Sequence, residues 1–229
     1  MLARLLPLFV AVPLAAQSFD GNRLETGKFD YTITDQGKEV AKLALDIRKT
    51  AANQFTFSAD ATATACQHWE SVATAALKPI SARLSFCKDG NNRPMFELVY
   101  TGNRVSGTKY SGKPPAIQKQ DVEAVIPAST VDQRIDWAAV MAMDLKPGLQ
   151  FGFNVYDPGT GVSRLTGRVA GAEEVELPAG RFHGYHLIYQ MDKQGRVEHY
   201  ESLVSRNVPR ILLKIRFPNG TWSELVSMK

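Results

Sequence analysis

Alternation with a period of two runs through most of the chain and limits what it can fold into. Phe29, Tyr31 and Ile33 alternate with Asp30, Thr32 and Thr34. Leu43, Leu45 and Ile47 alternate with Lys42, Ala44 and Asp46, and Phe55 and Phe57 with Gln54, Thr56 and Ser58. Further on, Ile211, Leu213, Ile215 and Phe217 face one way while Lys214 and Arg216 face the other. Successive side chains of a strand point to opposite faces, so such runs are strands with one buried and one wet face. Turn signals divide them at short spacing: Asp35-Gln36-Gly37, Lys88-Asp89-Gly90-Asn91, Asp157-Pro158-Gly159-Thr160-Gly161, Asp192-Lys193-Gln194-Gly195 and Pro218-Asn219-Gly220. The Asn-Gly pair of the last suits a type I′ hairpin turn. Roughly eleven or twelve strands are predicted.

That many strands do not stay in one flat sheet; twisted sheets of about ten strands curl or split into two layers. The expected fold is all-β and mainly antiparallel: a strongly curved sheet, either a half-barrel or a sandwich. One segment breaks the pattern. Asp136 is placed to cap a short helix over 137–143, closed by Lys146-Pro147-Gly148. Before it, the Pro- and Lys-rich stretch Ser111 to Gln120 reads as a loop. Two β halves, about 19–110 and 149–229, are thus joined by loop, strand and helix within one domain, 19–229, of a 229-residue chain. A half-barrel with one short helix to cover its apolar face would leave a cavity; a sheet that covers itself would not. The pattern leaves both open.

The first residues read differently. Arg4 in a short basic start, the apolar run Leu5 to Leu14 and the small residues Ala15, Ala16 and Ser18 have the order of a secretory signal peptide, 1–18. The run is shorter than the roughly 20 apolar residues that span a bilayer, so no membrane-spanning segment is expected after its removal. The expected location is exported, periplasmic or secreted. Losing 1–18 removes one positive charge, Arg4, from a formal +4. Scattered weak basicity is no nucleic-acid footprint.

Motifs for chemistry are sparse. There is no Gly-rich phosphate loop, no paired-cysteine metal motif and no Cys-x-x-Cys, so no cofactor is expected. Ser202 and Ser205 lie nearest to histidine but not in a nucleophile elbow, and no enzyme is expected. His183 and His186 are three apart on a strand and face opposite ways. If Met191 sits opposite Arg196, His186 faces Glu201 and Ile188 faces His199. His186, His199 and Glu201 then share one face, either as metal ligands or as a solvated polar cluster. Trp69, Trp137 and Trp222 are expected in the core.

Cys66 and Cys87 are the two cysteines, and export would place both in an oxidising compartment. A hairpin centred between Ala76 and Leu77 sets position 66 opposite position 87, within disulfide reach. They are expected to be bonded.

The second half carries the segment Glu174-Val175-Glu176-Leu177-Pro178-Ala179-Gly180-Arg181-Phe182, followed by Tyr200-Glu201-Ser202 and Pro209-Arg210-Ile211-Leu212-Leu213-Lys214. With Gly27-Lys28-Phe29-Asp30-Tyr31-Thr32-Ile33 and Leu77-Lys78-Pro79, it resembles the exported bacterial family catalogued as domain of unknown function 3108. The resemblance implies a β-rich envelope protein, similar in its curved sheet to half-barrel lipoprotein carriers, and supplies no catalytic residue. The expected partner is an apolar ligand such as a lipid, or another envelope protein. A structural or assembly factor and an envelope enzyme are the alternatives; a lined cavity, a bare apolar patch or a buried convergent polar cluster would separate the three.

Overall fold

One strand order accounts for nearly the whole chain. The computed structural model describes residues 17–51, 53–62, 66–88, 91–112 and 116–229. The expected export signal falls outside them up to residue 16. The first half supplies β1 (Gly27–Asp35), β2 (Lys38–Ala51), β3 (Gln54–Thr62), β4 (Cys66–Thr74), β5 (Pro79–Lys88), β6 (Asn91–Thr101), β7 (Arg104–Ser111) and β8 (Gln118–Val125). The short β9 (Val131–Asp132), a 3-10 turn (Gln133–Ile135) and the helix α1 (Asp136–Met141) follow. The second half supplies β10 (Gln150–Asp157), β11 (Gly161–Leu177), β12 (Gly180–Lys193), β13 (Arg196–Ser205), β14 (Leu212–Arg216) and β15 (Trp222–Met228).

All 15 strands form one sheet in the order β8-β7-β6-β5-β4-β3-β2-β1-β15-β14-β13-β12-β11-β10-β9. Every neighbouring pair is antiparallel except β9 and β10. The sheet is strongly curved and half-barrel-like rather than a two-layer sandwich, and its edges, β8 and β9, do not pair. The predicted strand count was low. The shortfall includes the expected loop 111–120, of which Ser111 ends β7 and Gln118 begins β8.

The two edges are nevertheless close in sequence, with five residues, 126–130, between them. The sheet therefore curls until its ends approach. There Tyr100 of β6 donates to the Asp132 carboxylate of β9 at 2.5 Å, and the Tyr100 and Tyr156 rings meet edge to face at 6.3 Å. A small second core, including Phe96, Leu98, Val105, Val122 and Ile126, fills this seam.

The main core lies between the concave face and α1. Phe55, Phe57, Leu165, Leu187, Met191 and Leu225 project inward and are fully buried. Ala138 through Met143 are each no more than 1% exposed, which is the signature of a helix sunk in a core rather than lying on a surface. The helix starts one residue earlier than predicted and ends at Met141. Asp136 is its first residue rather than its cap; Asp132 instead caps the 3-10 turn by accepting from the Arg134 N–H at 2.9 Å. Buried Arg210 closes the other end, donating to the carbonyl of Met141 at 2.7 Å, a group the helix itself leaves unpaired, and to that of Met143 at 2.5 Å, which also accepts the Leu145 N–H at 3.0 Å. Asp20 N–H takes the Ala142 carbonyl at 3.1 Å.

Turn chemistry sets the hairpins. Gln36-Gly37 and Gln194-Gly195 each hold both residues at positive φ, as a two-residue type I′ loop requires. The turn at Pro218-Asn219-Gly220 departs from prediction: Gly220 alone has positive φ, and its N–H bonds to the Phe217 carbonyl at 2.9 Å. Pro218, with its fixed φ, takes the second position of a four-residue turn and moves glycine to the end.

Cys66 and Cys87 are bonded as a disulfide. They face each other directly across β4 and β5 with Cα atoms 5.0 Å apart, in the predicted register.

Candidate functional site

The helix covers only part of the concave face. Beyond it lies a half-open cavity of about 460 Å³, within the range of small-ligand sites. Its wall is assembled from period-two positions of strands in both halves. Ile33, Leu43, Leu45, Leu84, Leu212 and Ile215 make the aliphatic surface. Tyr31, Trp69, Trp137, Tyr189, Tyr200 and Phe217 make the aromatic one. Trp69 and Leu84 are directly opposed across β4 and β5, three pairs in from the disulfide, so that bond fixes the rim.

The aromatic wall is ordered by its own contacts. The Trp137 ring meets Phe57 edge to face at 6.2 Å, and its indole N–H donates to the Arg134 carbonyl at 2.8 Å. Tyr189 and Tyr200 stack nearly parallel with centroids 5.3 Å apart, and the Tyr200 hydroxyl donates to Glu198 at 2.9 Å. Burial raises the Tyr31, Tyr189 and Tyr200 hydroxyls well above the usual phenol range, and the Asp136 charge adds to the shift of the last two. All three stay neutral across the physiological range.

Polar groups enter the wall from the segment after β9. Arg134, 8% exposed at its side chain, points both arms of its guanidinium at acids. Nε and Nη2 reach the two Asp132 oxygens at 2.7 and 2.8 Å, and Nη1 reaches Asp157 at 2.5 Å. Its plane lies 4.6 Å from the Phe96 ring centroid. Burial opposes the charge of Arg134, but Asp132 and Asp157 outweigh it and hold the guanidinium protonated. Asp132 is fully buried and also takes the Tyr100 hydroxyl. This cluster is self-satisfied and serves as a clamp between sheet edges.

Asp136 is different. One carboxyl oxygen accepts the Trp137 N–H at 2.6 Å, and no side chain among the described residues bonds the other. The residue is partly buried and faces the cavity. Burial pushes its pKa up to about 7, against the Trp137 N–H and the Arg134 charge, which pull it down. Ser223, also on the wall, is 1% exposed and its hydroxyl has no hydrogen-bond partner.

The histidine set predicted from sequence is not assembled. His186 faces Leu203, Ile188 faces Glu201, and Gln190 faces His199. The slip is two residues, because the β12–β13 turn is the tight loop Gln194-Gly195 between Lys193 and Arg196. An even slip keeps all three side chains on one face but leaves His199 away from the pair. His186 Nε2 and Glu201 Oε1 remain in contact at 2.8 Å. Among the described residues no group of three His, Cys, Asp or Glu side chains could hold a metal. Ser202 is buried, and the Ser205 hydroxyl accepts the Ile211 N–H at 2.8 Å. Trp69 and Trp137 pack against the main core, as expected, and also line the cavity, while Trp222 lies under Lys214 at 4.3 Å and Arg216 at 5.7 Å.

Sequence reading missed Arg134, Asp136 and the aromatic wall. A signal existed: Asp132-Gln133-Arg134-Ile135-Asp136-Trp137 places two acids, a base and an indole immediately before an apolar helix, where solvation alone explains none of them.

No described helix is long and apolar enough to cross a membrane. No curated protein matches the chain. Two solved structures are similar to it. One is a candidate exported protein of Bacteroides fragilis with a YmcC-like fold, 12% identical over 93% of this chain and all of the other, TM-score 0.37. The second is a candidate lipoprotein of Parabacteroides distasonis, 11% identical over 94% of this chain and all of the other, TM-score 0.38. The sequence profile of the family described as protein of unknown function (DUF3108) matches residues 14–225, and the chain belongs to that family.

Proposed function

We propose that this chain is an exported, non-enzymatic envelope protein that holds an apolar ligand such as a lipid in the concave cavity. The half-open space of about 460 Å³, walled by aliphatic and aromatic side chains, carries the reading. An unfilled apolar surface of this kind gains free energy when a ligand displaces its water, at about 25 cal/mol per Å² covered. The buried acid–base cluster beside it supports binding over catalysis, because the Arg134 donors and the Asp132 oxygens are already engaged with one another. Native mass spectrometry of protein isolated from its own cell envelope tests this: a retained small-molecule mass is expected. Delipidated protein should also take up an uncharged fluorescent probe such as Nile red, and Ala61→Phe, which adds a ring at a position on the cavity wall, should weaken uptake. A bare protein that binds no probe would sink the reading.

A further inference from the structure

We propose that the ligand is an amphiphile with a cationic amine head group, held by Asp136 in the cavity that Trp69, Trp137 and Tyr200 also line. The inference rests on the binding reading above and names the chemistry its polar end must have.

The charge balance of the wall leads there. Arg134 is the cation of the wall, and its guanidinium is already engaged by Asp132, Asp157 and the Tyr156 carbonyl. Two carboxylates against one guanidinium leave that cluster negative before Asp136 is counted. Lys193, whose charge also reaches Asp136, is paired with Glu198 at 2.8 Å. An anionic head group would therefore meet carboxylates with no free cation among the described lining residues to offset them. A neutral head group would leave the second Asp136 oxygen without a counter-charge. An ammonium supplies that charge, and it is also the group that tryptophan and tyrosine ring faces attract. The unpartnered Ser223 hydroxyl offers a further acceptor on the same wall.

The pairing must also depend on pH. The groups whose charge or ring faces Asp136 are Arg134 and Asp132 from the segment before the helix, Lys193 and Tyr189 from β12, and Tyr200 from β13. None of the phenols ionises in the accessible range, and Arg134 stays charged. Burial raises Asp136 to about 7, so the affinity for an amine weakens as pH falls below that value and the carboxylate is protonated.

The test displaces Nile red from the full chain with monomeric dodecylamine, dodecanol and dodecanoate. At about pH 8 the amine should bind about tenfold tighter than the alcohol, the equivalent of one charge-assisted hydrogen bond, with the dodecanoate weakest. The preference should shrink at about pH 5.5, where Asp136 is protonated, and should be absent in Asp136→Asn, checked as folded by circular dichroism. The wild-type pH profile decides the matter if that variant does not fold. Equal affinities for amine and alcohol, a tighter dodecanoate, or a preference that survives Asp136→Asn would overturn the amine assignment while leaving an apolar site. No displacement by any of the three, with no Nile red uptake, would overturn the binding reading itself.

Discussion

The Tyr100 hydroxyl donates to the Asp132 carboxylate at 2.5 Å, joining two strands that lie toward opposite edges of one sheet. Nothing in the strand pairing brings β6 to β9; the curl of the sheet does, and this bond locks it. Tyr100→Phe removes the donor and leaves a fully buried carboxylate one partner short. A loss of about 1–3 kcal/mol in urea unfolding is expected. Unchanged stability would mean that the seam is held by apolar packing alone.

Arg210 does for the helix what a capping residue does elsewhere. Arg210→Ala strips the Met141 carbonyl of its side-chain donor and leaves the Met143 carbonyl with the Leu145 N–H alone, and should destabilise by about 2 kcal/mol. Burial, and the nearby Arg23 charge, lower the Arg210 pKa below the ordinary arginine value.

Asp136 makes a prediction about pH. Its folded pKa, about 7, stands above the ordinary 3.8, so the folded state binds this proton more tightly than the unfolded chain. The contribution of this group is thus most favourable below 3.8, declines as pH rises through the window to about 7, and is flat above it. Subtracting the stability curve of Asp136→Asn from that of the wild type should isolate a falling slope in that window. A rising slope would show the carboxylate to be paired.

The disulfide closes a loop with a sequence separation of 21. Unfolded, unreduced protein should show no titratable thiol. Cys66→Ala with Cys87→Ala should lower stability by about 3 kcal/mol in the chain-entropy account. It should also loosen the rim where Trp69 faces Leu84, read as weaker Nile red binding.

Gln36 sits at φ 48 in a two-residue turn where asparagine is preferred. Gln36→Asn should raise stability by about 0.5 kcal/mol, since asparagine tolerates the left-handed region better. A neutral result would show that Gly37 alone sets this hairpin.

Much of the architecture was legible because period-two alternation is a direct record of which face is wet. The pairing of Cys66 with Cys87 was legible for the same reason: the turn between them is flanked by long runs of fixed parity. The histidine hairpin shows the limit. Parity put His186, His199 and Glu201 on one face correctly, but parity is blind to a slip of two, and Gln194-Gly195 does not announce a tight turn as Asn-Gly would. The cavity was legible only as one of two outcomes, because how far a sheet curls is decided by seam contacts such as Tyr100 with Asp132, which alternation does not encode. Asp136 was read as a helix cap because the residue type and position fit one. That its free oxygen looks into a cavity depends on strands far away in sequence.

β1 and β15 pair in the middle of the sheet, where the backbones of Lys28 and Lys229 exchange hydrogen bonds at 3.0 and 2.9 Å. A chain that emerges N-terminus first can fold β1 through β8 as a run of local hairpins, and later β10 through β14 likewise. The two runs stay separate sheets until the last strand arrives to zip them together. Joining residues this far apart is the slowest kind of contact to form. Until then β1, nine residues long, and β14, five, both present unpaired edges, the template on which strands from other chains add. Escape from self-association is thereby tied to seven residues, Trp222–Met228. Folding from denaturant should accordingly be slow and concentration-sensitive, with the β1 amides that bond β15 protected later than those that bond β2.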